Sequence, residues 1–158
     1  MTDHPFIGHA LCGVDERGRL TLPAFVRATL SRRSDARLIF VGCHESDPCL
    51  VAYDRSFART LAIDCRRLRL REAAPAPAND WHAKVRRTFG FVEQIELDPR
   101  GKVALPPLLM RRARISGSAL LIGAGGAFEI WNPQAALEGN DPDLAELAAF
   151  HLETRIAA

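Results

Sequence analysis

No stretch of this 158-residue chain approaches the roughly 20 consecutive apolar residues a membrane span requires, and its beginning has no basic segment followed by an apolar one. A membrane protein and a secretion signal are therefore not expected, and the expected location is cytoplasmic. The four cysteines, Cys12, Cys43, Cys49 and Cys65, are too few for a secreted disulfide scaffold and lack the paired two-residue spacing of a zinc site. Cys43-His44 with Cys49 comes nearest to a metal cluster, but no fourth ligand accompanies it, and small buried thiols are the commoner outcome. No metal and no cofactor are expected. Nor is there a serine, histidine and acid grouping or a nucleotide-binding loop. Gly123-Ala124-Gly125-Gly126 is glycine-rich, but a strand follows it where a phosphate loop would open a helix, so a tight turn is expected. Enzymatic chemistry has no constellation to rest on.

Basic residues are also missing from one end. Residues 115 to 158 hold one base, Arg155, against six acids, which leaves 21 − 1 = 20 bases and 19 − 6 = 13 acids for the rest. A body of about +7 precedes a tail of about −5, and a basic body suits a polyanion through counterion release. Composition is otherwise that of an ordinary globular protein, 47% hydrophobic and 25% charged.

What the chain does have is one pattern used twice. Asp15-Glu16-Arg17-Gly18-Arg19-Leu20-Thr21-Leu22-Pro23 returns 83 residues later as Asp98-Pro99-Arg100-Gly101-Lys102-Val103-Ala104-Leu105-Pro106, with five identities in nine. Asp opens and Gly closes a four-residue turn in each copy, and Pro99 fits the second position of a type I turn. The strand that leaves each turn places Leu20 and Leu22, or Val103 and Leu105, toward a core. Its alternate residues, Arg19 and Thr21, or Lys102 and Ala104, then face outward. Pro23 and Pro106 are expected as first helical residues.

The surroundings of the two copies match as well. A strand-like stretch precedes each, Phe6 to Val14 and Phe91 to Leu97; a short helix follows each, and then two apolar strands. This divides the chain into a first unit (1–53), a helix with an Ala/Pro linker (54–80, the linker at Ala73 to Asn79), a second unit (81–132) and an acidic helical tail (133–158). Asp54 is expected to cap a helix running from Arg55 to Arg71, with Phe57, Leu61, Cys65 and Leu68 on one face. Arg66, Arg67, Arg69 and Arg71 on that helix are secondary candidates for contacts with a DNA backbone. In the tail, Asn132-Pro133 and Asp141-Pro142 start helices, the last with Leu144, Leu147 and Phe150 together.

The order Phe6-x-Gly8, Asp15-x-x-Gly18-Arg19, Leu22-Pro23, Arg27, Arg86 to Asp98, Gly101-Lys102, Pro106-Pro107, Leu121-Ile122-Gly123 and Glu129-Ile130-Trp131 closely resembles the MraZ family of bacterial transcriptional regulators. The resemblance covers nearly the whole chain. It implies an α+β fold of two swapped-hairpin units like those of AbrB-type and SpoVT-type DNA-binding proteins, interlocked into one small β-barrel with short flanking helices. It further implies a ring-shaped homo-oligomer on double-stranded DNA, associated with the nucleoid. The target would be short repeats upstream of the protein's own operon of cell-division and cell-wall genes. Lys102 stands where the first copy has Arg19, His9 replaces an acid usual in the family, and the Cys43 to Cys49 loop and acidic tail lie outside the family pattern.

The residues expected to meet DNA are Arg17, Arg19, Arg100 and Lys102, on turns formed by Asp15, Gly18, Asp98 and Gly101. Arg27, Arg32, Arg33, Arg111 and Arg112 are secondary candidates for the phosphate backbone, although bases at a helix C-terminus, Arg114 among them, are also favoured on structural grounds alone. The competing reading is an oligomeric adaptor or antitoxin-like module that binds protein through the Leu144 and Phe150 helix. No membrane and no small-molecule ligand are expected.

Overall fold

A computed structural model describes residues 4–33, 37–71 and 78–157. The first half supplies β1 (His9–Gly13), β2 (Arg19–Thr21), α1 (Ala24–Arg33), β3 (Leu38–Cys43) and β4 (Leu50–Tyr53). α2 (Arg55–Arg71), α3 (Ala78–Val85) and a π-helical turn (Arg86–Gly90) connect it to the second. That half supplies β5 (Glu93–Glu96), β6 (Lys102–Ala104), α4 (Pro107–Ala113), β7 (Ser118–Ala124) and β8 (Ala127–Trp131), followed by α5 (Pro133–Glu138) and α6 (Pro142–Ala157).

The α+β class is as expected, but the strands form a six-stranded sheet in the order β1-β7-β8-β4-β3-β5 and a separate two-stranded ribbon, β2-β6, with no closed barrel assigned among the described residues. All pairings are antiparallel. Four of the six ladders, β1–β7, β2–β6, β3–β5 and β4–β8, join one half of the chain to the other. Neither half can therefore keep its hydrogen bonds alone. The order also reads the same backward when β1, β2, β3 and β4 are exchanged with β5, β6, β7 and β8. Leu20 pairs with Val103, its own counterpart at the 83-residue offset, so an internal two-fold axis passes through the ribbon.

Side-chain alternation separates two cores. Ile39, Val41, Leu50, Ala52, Leu121, Phe128 and Ile130 face Leu20, Leu22, Val103 and Leu105 of the ribbon region and Val26, Leu30 and Leu109 of α1 and α4. The opposite face of the sheet places Leu120 and Trp131 against Ala136 and Ala148 of α5 and α6, and Tyr53 against Phe57 of α2 at 5.3 Å between ring centroids. Each fully buried Leu, Ile or Phe stabilises the fold by about 1.5–3 kcal/mol, so the ribbon is fixed to the sheet by its inward side chains while the outward ones stay available.

Several expectations shift in detail. The expected strands Phe6 to Val14 and Phe91 to Leu97 shorten to β1 and β5, Phe6 keeping an isolated bridge to Gly125. The helices start after Pro23 and Pro106 rather than on them. Pro106 stays extended (ψ 139°) because Pro107 follows and disfavours helical backbone before it. Gly125 and Gly126 form the two-residue turn between β7 and β8, with Gly125 at φ +78°. Asp54 does cap α2, its Oδ1 accepting the Phe57 N–H at 3.0 Å. Asn132 caps α5 and Asp141 caps α6 in the same way. On α6, Leu144 aligns with buried Ala148 rather than with Phe150, which is 58% exposed; steps of four and seven follow one helical face, whereas repeated steps of three drift off it. The linker residues 73–77 and the side chains of Leu68, Arg69 and Arg71 lie outside the described residues.

Candidate nucleic-acid interface

Each basic tip is a type I turn closed by a left-handed glycine. In the first, the Gly18 N–H donates to the Asp15 carbonyl at 3.0 Å and the Asp15 N–H to the Arg19 carbonyl at 3.0 Å, while Gly18 sits at φ +79°. The second repeats this with Gly101 to Asp98 at 2.9 Å, Asp98 to Lys102 at 3.0 Å and Gly101 at φ +79°. This is a three-residue hairpin loop with a glycine bulge, which L-residues adopt only at a cost.

The aspartates hold the tips from inside. Asp15 Oδ1 accepts the N–H groups of Arg17 and Arg19 at 2.9 Å each, and Oδ2 accepts Arg19 Nε–H at 2.9 Å. Asp98 Oδ1 accepts the N–H groups of Arg100 and Lys102 at 2.8 Å each. The Arg19 N–H leads in holding the Asp15 carboxyl below its ordinary pKa, against an opposing desolvation that comes next, with the Arg19 side chain and the Arg17 N–H adding to the lowering. The Lys102 N–H does the same for Asp98, helped by the Arg100 N–H and both positive charges. Both carboxylates are thus ionised at neutral pH and engaged as acceptors within their own turns.

Each tip is also fastened by the other half. The Leu22 N–H donates to the Gly101 carbonyl and the Leu105 N–H to the Gly18 carbonyl, at 2.9 Å each. A Cβ added to Gly18 would meet Met110 Sδ of α4, and one added to Gly101 would meet Arg27 Cδ of α1. Arg27 and Met110 are counterparts at the 83-residue offset. Sequence reading gave neither residue this role, and the offset was the signal that could have found both.

In the ribbon, Arg19 lies opposite Ala104 and Thr21 opposite Lys102, with all four exposed, while Leu20 and Val103 are buried at 1% and 2%. Directly paired residues share a face, so Arg19 and Lys102 are on one outward face as diagonal neighbours, about 7–8 Å apart at the backbone. Arg17 and Arg100 are exposed at the turns beside them. The structure brings Arg19 and Lys102 together across the internal axis, with Arg17 and Arg100 at opposite ends of the ribbon.

The secondary candidates separate. Arg27 is exposed, with its stem over Gly101. Arg32 and Arg111 are exposed on α1 and α4, and exposed Arg112 stacks its guanidinium 4.5 Å from the centre of the Phe91 ring. Arg33 is corrected outright. Its side chain is fully buried, with Nη1 donating to the Gly126 carbonyl at 2.9 Å, the guanidinium 4.8 Å from the Phe6 ring centre, and Nε 3.3 Å from Asp54 Oδ2 without hydrogen-bond geometry. It is an internal ion pair and cannot reach a phosphate. Arg66 and Arg67 are exposed on α2, which covers the face of the sheet away from the ribbon. Cys43 and Cys49 belong to separate cores, and His44 Nδ1 accepts the N–H groups of Ser46 and Asp47 at 3.1 and 3.0 Å, leaving Nε2 toward Glu129 at 3.4 Å.

Known proteins resemble this chain along nearly its whole length. A protein of Saccharophagus degradans is 31% identical over 131 residues, covering 82% of this chain and 84% of the relative. The chain belongs to the MraZ family. A relative from Rhodospirillum rubrum is 31% identical over 140 residues (87% of each chain), and one from Azotobacter vinelandii is 30% identical over 142 (90% of this chain, 89% of the relative). All three bear the name transcriptional regulator MraZ. The last match leaves 158 − 142 = 16 residues outside it, so the kinship with MraZ proteins takes in both halves of the chain. No family model matches the chain. No helix among the described residues is long and apolar enough to cross a membrane.

Proposed function

We propose that this chain is a transcriptional regulator that binds double-stranded DNA sequence-specifically through the outward face of the β2–β6 ribbon and its two tips. The observation that carries the reading is the pairing of Arg19 with Ala104 and of Lys102 with Thr21, which collects bases from both halves on one face. Phosphate contacts from Arg17, Arg100, Lys102 and Arg27 supply most of the affinity, while Arg19, steered by Asp15 through Nε, keeps its terminal nitrogens for a base edge. The interleaving of the two halves supports treating residues 1–53 and 81–132 as swapped-hairpin units of the AbrB and SpoVT type.

One such face is small. In this reading the chain forms a ring of identical subunits, so that short repeats upstream of its own cell-division and cell-wall operon engage successive faces, each later contact being effectively intramolecular. The protein would then be found on the nucleoid. An Arg19→Ala variant that still folds and assembles should bind such repeats about 5- to 150-fold more weakly, the range for losing one bidentate base contact. If Arg19 also touches phosphate, the slope of log affinity against log salt should flatten by about 0.9. Unchanged affinity in a gel shift would overturn the assignment of Arg19.

The alternative, an oligomeric protein-binding module, draws on Phe150, exposed at 58% on α6. A partner that stays bound after nuclease digestion, and is lost in Phe150→Ala, would favour it.

A further inference from the structure

One polar contact lies outside both cores and the ribbon. His9 at the start of edge strand β1 and His151 on α6 bring Nδ1 and Nε2 to 2.7 Å across 142 residues of sequence. Their rings meet edge to face, at 74° with centroids 4.9 Å apart. Among the described residues no other side-chain hydrogen bond or ion pair ties α6 to the sheet; Leu144 and Ala148 hold it by apolar packing on Leu120, Trp131 and Ala136. Leu144, Ala148 and His151 follow one helical line, so the histidine continues the packed face toward the end of the helix.

Two imidazole nitrogens at this separation accommodate one proton between them, one ring donating and the other accepting with a bare nitrogen. The contact survives with both rings neutral or with one charged. With both charged, donors face donors and two cations stand within contact distance. We propose that the His9–His151 pair is a proton-sensitive clasp, fastening the end of α6 to β1 at neutral pH and releasing it when acidification charges both rings.

The surroundings do not rescue a double charge. At helical spacing from His151 stand Leu147, Ala148, Thr154 and Arg155, of which Arg155 repels a further proton. Across the sheet from His9 come Ile122 and then Glu129, the nearest carboxylate in that row, about 10 Å away and engaged by Trp131 Nε1–H and His44. On the same face of β1, His9 is followed by Leu11. Burial, then the charge of His9, holds His151 below the ordinary histidine pKa. A group that protonates more readily when released than when docked weakens docking as pH falls below the free value of about 6.5, which is the sign the clasp requires. Release would uncover Leu11 and Ile122 beside β1, a strand that leads straight into the Asp15 turn. The inference does not rest on the DNA-binding reading.

The test is amide hydrogen exchange of the full-length protein at about pH 7.5 and about pH 5, corrected for intrinsic rates, with histidine ring titration by NMR. The expected result is a loss of roughly tenfold or more in protection across residues 148–157 at the lower pH. In His9→Gln and His151→Gln, where only one ring can charge, protection should stay within about threefold. The wild-type His151 ring should titrate below about 6.5. Protection unchanged by pH in the wild type, or lost equally in the variants, overturns the clasp; so does a His151 step at or above about 6.5. Should a variant fail to fold, the wild-type titration decides by itself.

Discussion

The two tips share a turn type, a left-handed glycine and an aspartate that accepts two backbone N–H groups, yet their environments differ wherever the repeat has diverged. The first carries Arg19, whose Nε is tied to Asp15 at 2.9 Å, and packs under Met110. The second carries Lys102, which acts on Asp98 through its backbone N–H and its charge, and packs under Arg27. One tip therefore has an added side-chain tie and the other an added cation packed on it. The lesson is a division of labour: the backbone of the turn is duplicated because it must be, and the side chains are free to specialise. In the proposed function, Arg19 would read a base and the Lys102–Arg27 side would hold the phosphate backbone.

The sharpest break in the internal symmetry is at the end of the first helix. Arg33, whose counterpart at the 83-residue offset is Ser116, is buried against Asp54, itself only 1% exposed. Arg33→Ala should cost about 3–5 kcal/mol in chemical denaturation, because it breaks the buried Arg33–Asp54 ion pair. Arg33→Met, which fills the space but leaves the same carboxylate, should recover less than half of that loss. A cost below about 1 kcal/mol for the alanine variant would show that Asp54 does not depend on Arg33.

The glycines come next. Gly18→Ala and Gly101→Ala both force an L-residue to φ near +79°, worth about 1–2 kcal/mol each. They should not be equal. A methyl group at 18 would lie 3.0 Å from the Leu105 carbonyl and 2.5 Å from Met110 Sδ, and the backbone carbonyl cannot step aside. At 101 it meets only the side chain of Arg27, which is exposed and can swing away. Gly18→Ala should therefore lose more stability in urea denaturation, and equal losses would mean that the two halves yield alike.

Much of this was legible in the sequence because the determinants are local. The turns, the in-and-out alternation of Leu20 and Val103, and the caps at Asp54, Asn132 and Asp141 each depend on residues within a few positions of one another. What was not legible is pairing at a distance. Nothing near Arg33 announces that Asp54, Gly126 and Phe6 will surround it, and a base closing a helix looks the same whether solvent or a carboxylate awaits it. Leu144, Leu147 and Phe150 fell to a different error: spacing by three keeps residues nearby on a helix but does not keep them on one face, and Ala148 was passed over because it is small. His9 and His151 could be found only by folding the chain.

The smallest effect is the most specific to the difference between the tips. Lys102→Arg restores to the second half the side chain of the first, and the expected consequence is that the new guanidinium donates Nε–H to Asp98 as Arg19 does to Asp15. Two readouts separate structure from function. The Asp98 carboxyl, already below its ordinary range, should titrate lower still; since a lowered carboxyl pKa stabilises the turn above the unfolded value and the benefit is lost as pH falls through the folded one, the second tip should also persist to lower pH. In competition gel shifts the variant should discriminate more strongly between an operator repeat and its single-base variants, by up to about 1 kcal/mol, with total affinity changing less because the charge is conserved. If Asp98 moves and discrimination does not, the second tip holds backbone only and Arg19 alone reads sequence. If neither moves, the tie between Asp15 and Arg19 depends on something other than the turn both halves share.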